Sequence, residues 1–124
     1  LEERAAANDP TSKFTPLKDN IGFEDFMKLD IRAGEILEAE KIEKSDKLLK
    51  LKVDIGIEIR TIVSGIAKHV DMDNIVGQKV SVVANLAPKK LMGVESAGMI
   101  LMAEDTEGNL KFVDTEAESG STIT

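Results

Sequence analysis

The middle of the chain carries an excess of cationic side chains that could contact phosphate groups. Residues 41–100 contain ten Lys and Arg residues and seven Asp and Glu residues, which gives this stretch a charge of +3. The whole chain has a net charge of −7, so the two flanking stretches together carry −10. An acidic protein with this distribution can present one basic face to a polyanion. From charge alone, an ordinary surface of mixed charge is the favoured alternative.

Most catalytic chemistry is excluded or poorly supported by the residue types of this 124-residue chain. It has no Cys, which excludes disulfides, thiolate zinc sites and Cys nucleophiles, and its single His cannot form a His-rich metal site. It has no Gly-x-x-x-x-Gly-Lys-Ser/Thr loop, no Gly-x-Gly-x-x-Gly motif and no Gly-x-Ser-x-Gly elbow. Trp and Tyr are absent, so stacking of bases on aromatic side chains would be thin. We predict no catalytic residue, no metal site and no cofactor in this chain.

The cations must be positioned by strands, because apolar and charged residues alternate around several of them. Leu49–Asp54 and Glu58–Ser64 each show a period of two, with Gly56 between them. Pairing their apolar sets places Asp54 opposite Glu58 and leaves a three-residue loop at 55–57. This register sets Lys52 opposite Arg60 on the outer face, where facing like charges cost up to ~1 kcal/mol unless an anion binds there. Screening by solvent is the alternative explanation.

The other elements are also short and mostly extended. One or two helical turns are predicted around Phe23–Leu29, and Asp30–Glu43 reads as a long, bent strand whose alternation breaks near Gly34 and again near Ala39. Further predictions are strands at Lys79–Leu86, Ala97–Ala103 and Leu110–Val113, and a basic loop at Lys89–Gly93. Many short strands with a turn signal about every ten residues indicate a small β-barrel or sandwich.

Residues 1–20 are predicted to be a linker or the tail of an upstream helical domain. The segment contains Pro10 and Pro16, lacks a sustained apolar period and begins with Leu1 rather than Met. We therefore expect the chain to be a fragment whose folded domain spans residues 21–124. No apolar run approaches the ~18 residues that a membrane span needs, and no signal peptide opens the chain.

Five short motifs follow one another within residues 21–124. They are FMKLDIRAG at 26–34, SDKL at 45–48, RTIVSGI at 60–66, VANLAPKKLM at 83–92 and SAGM at 96–99. In this order and spacing they resemble the tRNA-binding domain at the C-terminus of bacterial methionyl-tRNA synthetases, a family that includes a free-standing tRNA-binding protein and a secretion chaperone. The resemblance implies an all-β fold, namely a five-stranded Greek-key OB barrel with short helical turns and a C-terminal strand extension.

The resemblance also implies structure-specific, largely sequence-independent tRNA binding. We expect cations to meet phosphates, small polar side chains to meet sugar or phosphate, and Met99 to pack against a base if it is exposed. The candidate residues are Arg32, Lys47, Lys50, Lys52, Arg60, Ser64, Asn85, Lys89, Lys90, Ser96 and Met99. Three have open alternatives: Arg32 could pair with Asp30, Asn85 could bond the backbone before a turn, and Met99 could be a core residue.

The expected partners are tRNA, a second copy of the chain and a covalently linked synthetase catalytic domain in the cytoplasm. This chain alone is not expected to be an enzyme, whereas the parent ligase would use ATP and Mg. We expect the interface between the two copies to be formed by apolar residues such as Ile21, Phe23, Ile100, Phe112 and Ile123. The competing function is a dimeric chaperone of the same fold that binds peptides in an apolar groove, since fold does not settle function.

Overall fold

A computed structural model of the chain describes residues 14–124, so most of the predicted linker lies outside the described residues. Residues 14–20 form no helix or strand. One α-helix is present in the described part, α1 (Phe23–Met27), together with a 3-10 turn at Met72–Asn74. The strands are β1 (Ile31–Lys41), β2 (Leu49–Asp54), β3 (Ile59–Ser64), β4 (Lys79–Val83), β5 (Lys89–Leu91), β6 (Val94–Ser96), β7 (Met99–Ile100), β8 (Met102–Glu104), β9 (Leu110–Phe112) and β10 (Thr122–Ile123).

Five antiparallel strands in the order β3-β2-β1-β4-β7 form a nearly closed barrel. Closure comes from β3 approaching β6 and β7, where the Ala97 N–H donates to Thr61 O at 2.9 Å. Leu49, Leu51 and Val53 fill the interior as their alternation predicts. The all-β prediction and the five-stranded OB-type barrel are confirmed.

The predicted register between β2 and β3 is wrong by one residue. Asp54 pairs with Ile59, so Lys52 faces Thr61 and Arg60 faces Val53. The turn closes one residue later than predicted because Ile55 is fully buried and its N–H donates to Glu58 O at 3.0 Å. A slip of one residue moves every side chain to the other face. Arg60 therefore shares a face with Val53, while Lys52 stays on the outer face.

Strand β1 has a bulge between Ile36 and Glu38, close to the predicted break near Ala39, whereas its pairing with β4 is regular at Gly34. Gly34 serves a different need, since a Cβ there would lie 3.0 Å from Asp54 O and 3.1 Å from Val53 Cγ1. The bulge lets β1 pair with β2 over its second half and with β4 over its first half.

The predicted basic loop at Lys89–Gly93 is instead part of a hairpin of β5 and β6. Met92 and Gly93 both have positive φ, 52° and 81°, as the turn of a two-residue hairpin requires. The single strand predicted at Ala97–Ala103 divides into β7, which pairs with β4, and β8, which pairs with β9.

In the β8–β9 turn, hydrogen bonds donated chiefly by the Asn109 backbone N–H lower the pKa of Asp105.

The C-terminal segment completes the edge of β1 that β2 leaves free. β10 pairs with Ile31 and Arg32, and the Ala33 N–H donates to Ser121 O at 2.8 Å. Gly56 in the β2–β3 turn contacts Gly120 in this segment, and a Cβ on Gly56 would lie 2.5 Å from the Cα of Gly120. The predicted C-terminal strand extension is thus confirmed, and its docking depends on two residues without side chains.

Helix α1 forms where predicted, but its apolar side chains are not buried. Phe23 is 73% exposed and Met27 56% exposed, and Ile21 just before the helix is 68% exposed. None of the helices in the described part of the chain is long and apolar enough to cross a membrane.

Candidate nucleic-acid interface

Arg60 and Ser96 lie in the seam that closes the barrel, and their polar atoms are occupied there. The Arg60 Nη1 donates to Ala84 O at 3.0 Å and to Ala97 O at 3.2 Å, while its Nε pairs with Glu58. Ser96 is 5% exposed; its Oγ accepts from the Val63 N–H at 2.9 Å and donates to Gly98 O at 3.3 Å. The hydrogen bonds of these two side chains link β3 to the segments that follow β4 and β6, and so help to close the barrel. The expected outer-face position of Arg60 is therefore wrong.

Arg32 and Asn85 are also engaged with the protein itself. The Arg32 Nε donates to Asp30 Oδ1 at 2.9 Å, which is the ion pair considered as its alternative role. The Asn85 side chain accepts from the Asp30 N–H at 2.9 Å and donates to Lys28 O at 2.6 Å. Asn85 thus ties the end of α1 to the end of β4, as its alternative interpretation proposes.

Lys50 and Lys52 project from the outer face of β2, where acidic residues of β1 oppose them. Glu40 pairs with Lys50 across the strands and lies 3.3 Å from its Nζ, and Glu38 is opposite Lys52. On the other side the Lys52 Nζ donates to Thr61 Oγ1 at 2.8 Å. Exposed ion pairs contribute only about 0–1 kcal/mol, yet the two carboxylates offset the two positive charges that a phosphate would meet. This face is a mixed-charge surface rather than a basic one.

A shallow groove of ≈ 490 Å³ lies between β3, the segment after β4 and the β5–β6 hairpin. Its lining combines Met99, which is 46% exposed, and Leu86, which is 43% exposed, with Lys89. The core interpretation of Met99 is therefore wrong. The full lining is Val63, Leu86, Ala87, Lys89, Leu91, Ser96, Gly98 and Met99.

A second groove of ≈ 270 Å³ adjoins the first along the end of β3. It is lined by Lys47, Gly65, Lys68 and His69. Val63 lines the first groove and Gly65 the second, so Ser64 lies between them in the chain. Lys68 also reaches Asp46, with Nζ 3.4 Å from Oδ2, and the His69 Nδ1 accepts weakly from the Leu110 N–H at 3.4 Å.

The two grooves bring together a subset of the predicted residues. Lys47, Lys89, Ser96 and Met99 line them, Ser64 lines neither, and Lys90 is exposed on the hairpin opposite Glu95. Neither lining contains a carboxylate among the described residues, although the chain has 23 Asp and Glu residues. Sequence analysis did not select Lys68, Leu86 or Leu91. Two of these, Leu86 and Leu91, lie inside the VANLAPKKLM motif, which was a usable signal.

Comparisons with known proteins show what this chain is similar to. A family model described as "Putative tRNA binding domain" matches residues 31–122. The chain is 56% identical over 126 aligned residues to the methionine–tRNA ligase of Flavobacterium johnsoniae and 51% identical to that of Cytophaga hutchinsonii. Each alignment covers 99% of this chain but 18% of the ligase, so the chain spans about a fifth of the length of these relatives.

Two solved structures share the fold over most of the chain. The MetRS-related protein from Pyrococcus horikoshii superposes with a TM-score of 0.81 at 38% identity, covering 86% of this chain and all of that one. The CsaA chaperone protein from Picrophilus torridus gives 0.78 at 28% identity, with 85% and 100% covered. The chain belongs to the tRNA-binding domain family and is homologous to the C-terminal region of bacterial methionine–tRNA ligases.

Proposed function

We propose that this chain is a tRNA-binding and dimerisation module appended to a methionine–tRNA ligase, and that the two adjoining grooves contact the RNA. The observation that carries the proposal is the pair of groove linings, which contain Lys47, Lys68 and Lys89 and no carboxylate among the described residues of an acidic chain, although Asp46 pairs with Lys68 beside the second groove. Loops at this end of an OB barrel are the ones that such folds use for oligonucleotides. Lys47 lies between β1 and β2, and Lys89 and Lys90 lie between β4 and β7.

Recognition of this kind is expected to be independent of sequence and sensitive to the shape of tRNA. Reading a base edge requires polar groups that are free to bond it. The side chains best suited to that task, Arg32, Arg60, Asn85 and Ser96, already bond protein atoms. Lysine ammonium groups act as point charges toward phosphate and carry no base information.

Catalysis is assigned to a covalently linked synthetase catalytic domain outside this chain. The relatives are ligases of which this chain matches 18%. ATP and Mg would belong to that domain, and the module would hold no cofactor of its own. A cytoplasmic location follows for a protein that works on tRNA in translation.

Dimerisation is proposed through the exposed apolar surface around α1. Ile21 and Phe23 remain suitable, since both are more than two-thirds exposed. Ile100 is 5% exposed and belongs to the barrel core, so its expected place at the interface between the two copies is wrong. Phe112 packs against the core and Ile123 is half-buried in β10. Two modules related by a two-fold axis would double the lysine-lined surface and raise avidity.

We expect tRNA to bind in a salt-dependent manner through the grooves. With about four phosphates contacted, the slope of log K against log salt should be roughly −3 to −4. Lys47→Glu with Lys89→Glu should weaken binding by at least about tenfold, because two phosphate contacts become repulsive. Titration of folded tRNA by fluorescence anisotropy measures both effects.

The matched control is Lys50→Glu with Lys52→Glu, which makes the same charge change on the mixed-charge face of β2. We expect this variant to lose much less affinity. Equal losses in the two double mutants would contradict the groove assignment, and equal affinity for folded and unfolded RNA would contradict recognition of tRNA shape.

We expect the chain to be a dimer near twice 13.5 kDa in solution. Phe23→Asp should produce monomers, because a carboxylate would be desolvated in an apolar interface. Val76→Asp is the control, since Val76 is 57% exposed and lies outside α1. Multi-angle light scattering over a wide concentration range measures the mass. A wild-type chain that stays monomeric at high micromolar concentration would rule out the dimer.

A peptide-binding chaperone is the second candidate function, favoured by the match to the CsaA chaperone protein and by the apolar part of the first groove. Competition separates the two functions. An unfolded protein that displaces tRNA at stoichiometric amounts would favour the chaperone, whereas tRNA binding that is unaffected by a large excess would favour the RNA function.

A further inference from the structure

We propose that the first groove holds an unstacked nucleobase of the bound RNA, packed between Met99 and Leu86 with its phosphate at Lys89. The inference deepens the proposed function and rests on it. On this proposal, binding requires one base of the RNA to leave its stack, in addition to the electrostatic contacts between lysines and phosphates.

The shape and chemistry of the groove suit the flat face of a base. Leu86 and Met99 are both more than 40% exposed, while Val63 and Leu91 provide further apolar lining. A groove of ≈ 490 Å³ lies in the size range of small-molecule sites. Flipped bases are commonly held between apolar as well as aromatic side chains, and a thioether makes favourable contacts with aromatic rings. Met99 can thus serve where the groove lacks an aromatic residue.

Charge complementarity identifies the occupant as a nucleotide rather than an apolar peptide. A nucleotide joins an apolar ring to an anionic phosphate, and the groove joins an apolar floor to Lys89. The adjoining groove continues with Lys47 and Lys68, which suits the next phosphates along a strand. An uncharged apolar peptide would offer no counterpart to Lys47 and Lys89, whereas Lys68 already pairs with Asp46.

The same groove offers little to distinguish one base from another. The Ser96 hydroxyl is 5% exposed, its proton is donated to Gly98 O, and one of its lone pairs accepts from the Val63 N–H. Any of the four bases could therefore occupy the groove with similar affinity. This agrees with recognition that depends on which nucleotides of a folded RNA are unstacked.

The test uses a folded tRNA carrying one 2-aminopurine in an unpaired loop. Because the chain has no Trp or Tyr, the probe is observed without interfering protein emission. We expect its fluorescence to rise on binding as the base leaves its neighbours. Met99→Ala should weaken binding by about 3- to 10-fold and leave the salt slope unchanged, since no phosphate contact is lost. Lys89→Met should reduce the steepness of that slope by about one.

Met92→Ala is the matched control, because Met92 is 50% exposed in the turn of the β5–β6 hairpin but is not among the residues that line the groove. Equal effects of the Met92 and Met99 variants, or a silent probe with salt-dependent binding intact, would overturn this inference and leave the proposed function standing. Absence of any salt-dependent binding of tRNA would instead overturn the proposed function. An apolar peptide that binds wild-type protein, displaces the RNA and loses affinity in Met99→Ala would assign the groove to peptides.

Discussion

Replacing Arg60 with methionine is expected to destabilise the barrel by about 2–4 kcal/mol. The substitution removes the donor that serves Ala84 O and Ala97 O and leaves these carbonyls without that partner at a partly buried seam. An unsatisfied buried acceptor costs about 1–3 kcal/mol, and two are affected. The side chain is 23% exposed, so its loss also removes packing. Urea unfolding followed by circular dichroism measures the change.

Lys52→Met is the control for this prediction, because Lys52 lies on the outer face of the neighbouring strand and its ammonium group donates to the Thr61 hydroxyl. We expect it to change stability by no more than about 0.5 kcal/mol. The salt dependence of tRNA binding gives an independent readout: folded Arg60→Met should keep the wild-type slope. A slope that is less steep by about one, together with unchanged stability, would show that Arg60 contacts a phosphate after all.

Alanine at Gly56 is expected to cost at least about 3 kcal/mol and to release the C-terminal segment from the barrel. Two penalties combine there. Gly56 has a φ of 92°, which is unfavourable for a residue with a side chain, and the new Cβ would lie 2.5 Å from Gly120 Cα and 2.6 Å from Ser119 O. Both opposing atoms belong to the backbone, so no side chain can rotate away. Hydrogen exchange of the Ala33 and Gly120 amides, which form the local bonds to this segment, should report its release.

Gly77→Ala separates the two penalties. Gly77 has almost the same φ, 94°, but nothing lies within 4 Å of the Cβ that it would acquire. We expect a loss of about 1 kcal/mol there, which is the conformational part alone. Equal losses at Gly56 and Gly77 would show that the C-terminal segment moves aside at little cost and does not stabilise the barrel.

The fold class and the family could be predicted from the sequence because they depend on local patterns. The alternation in Leu49–Asp54 predicts a half-buried strand whatever its neighbours are, and the buried positions of Leu49, Leu51 and Val53 confirm it. The five ordered motifs carry the family resemblance, which the match to residues 31–122 confirms. The Arg32–Asp30 pair was also foreseeable, since its members are two residues apart.

The functional surface was decided by contacts between residues that are distant in the chain. Arg60 bonds carbonyls 24 and 37 residues away, and Asn85 bonds α1 across 57 residues, so neither role has a local signal. The burial of Ile55 lengthens the β2–β3 turn by one residue and so transfers Arg60 from the outer face to the seam. Glu38 and Glu40 lie opposite Lys52 and Lys50 only because the bulge in β1 sets that register. Residue types and period determined which strands form, whereas pairing between strands determined which lysines remain open to a phosphate.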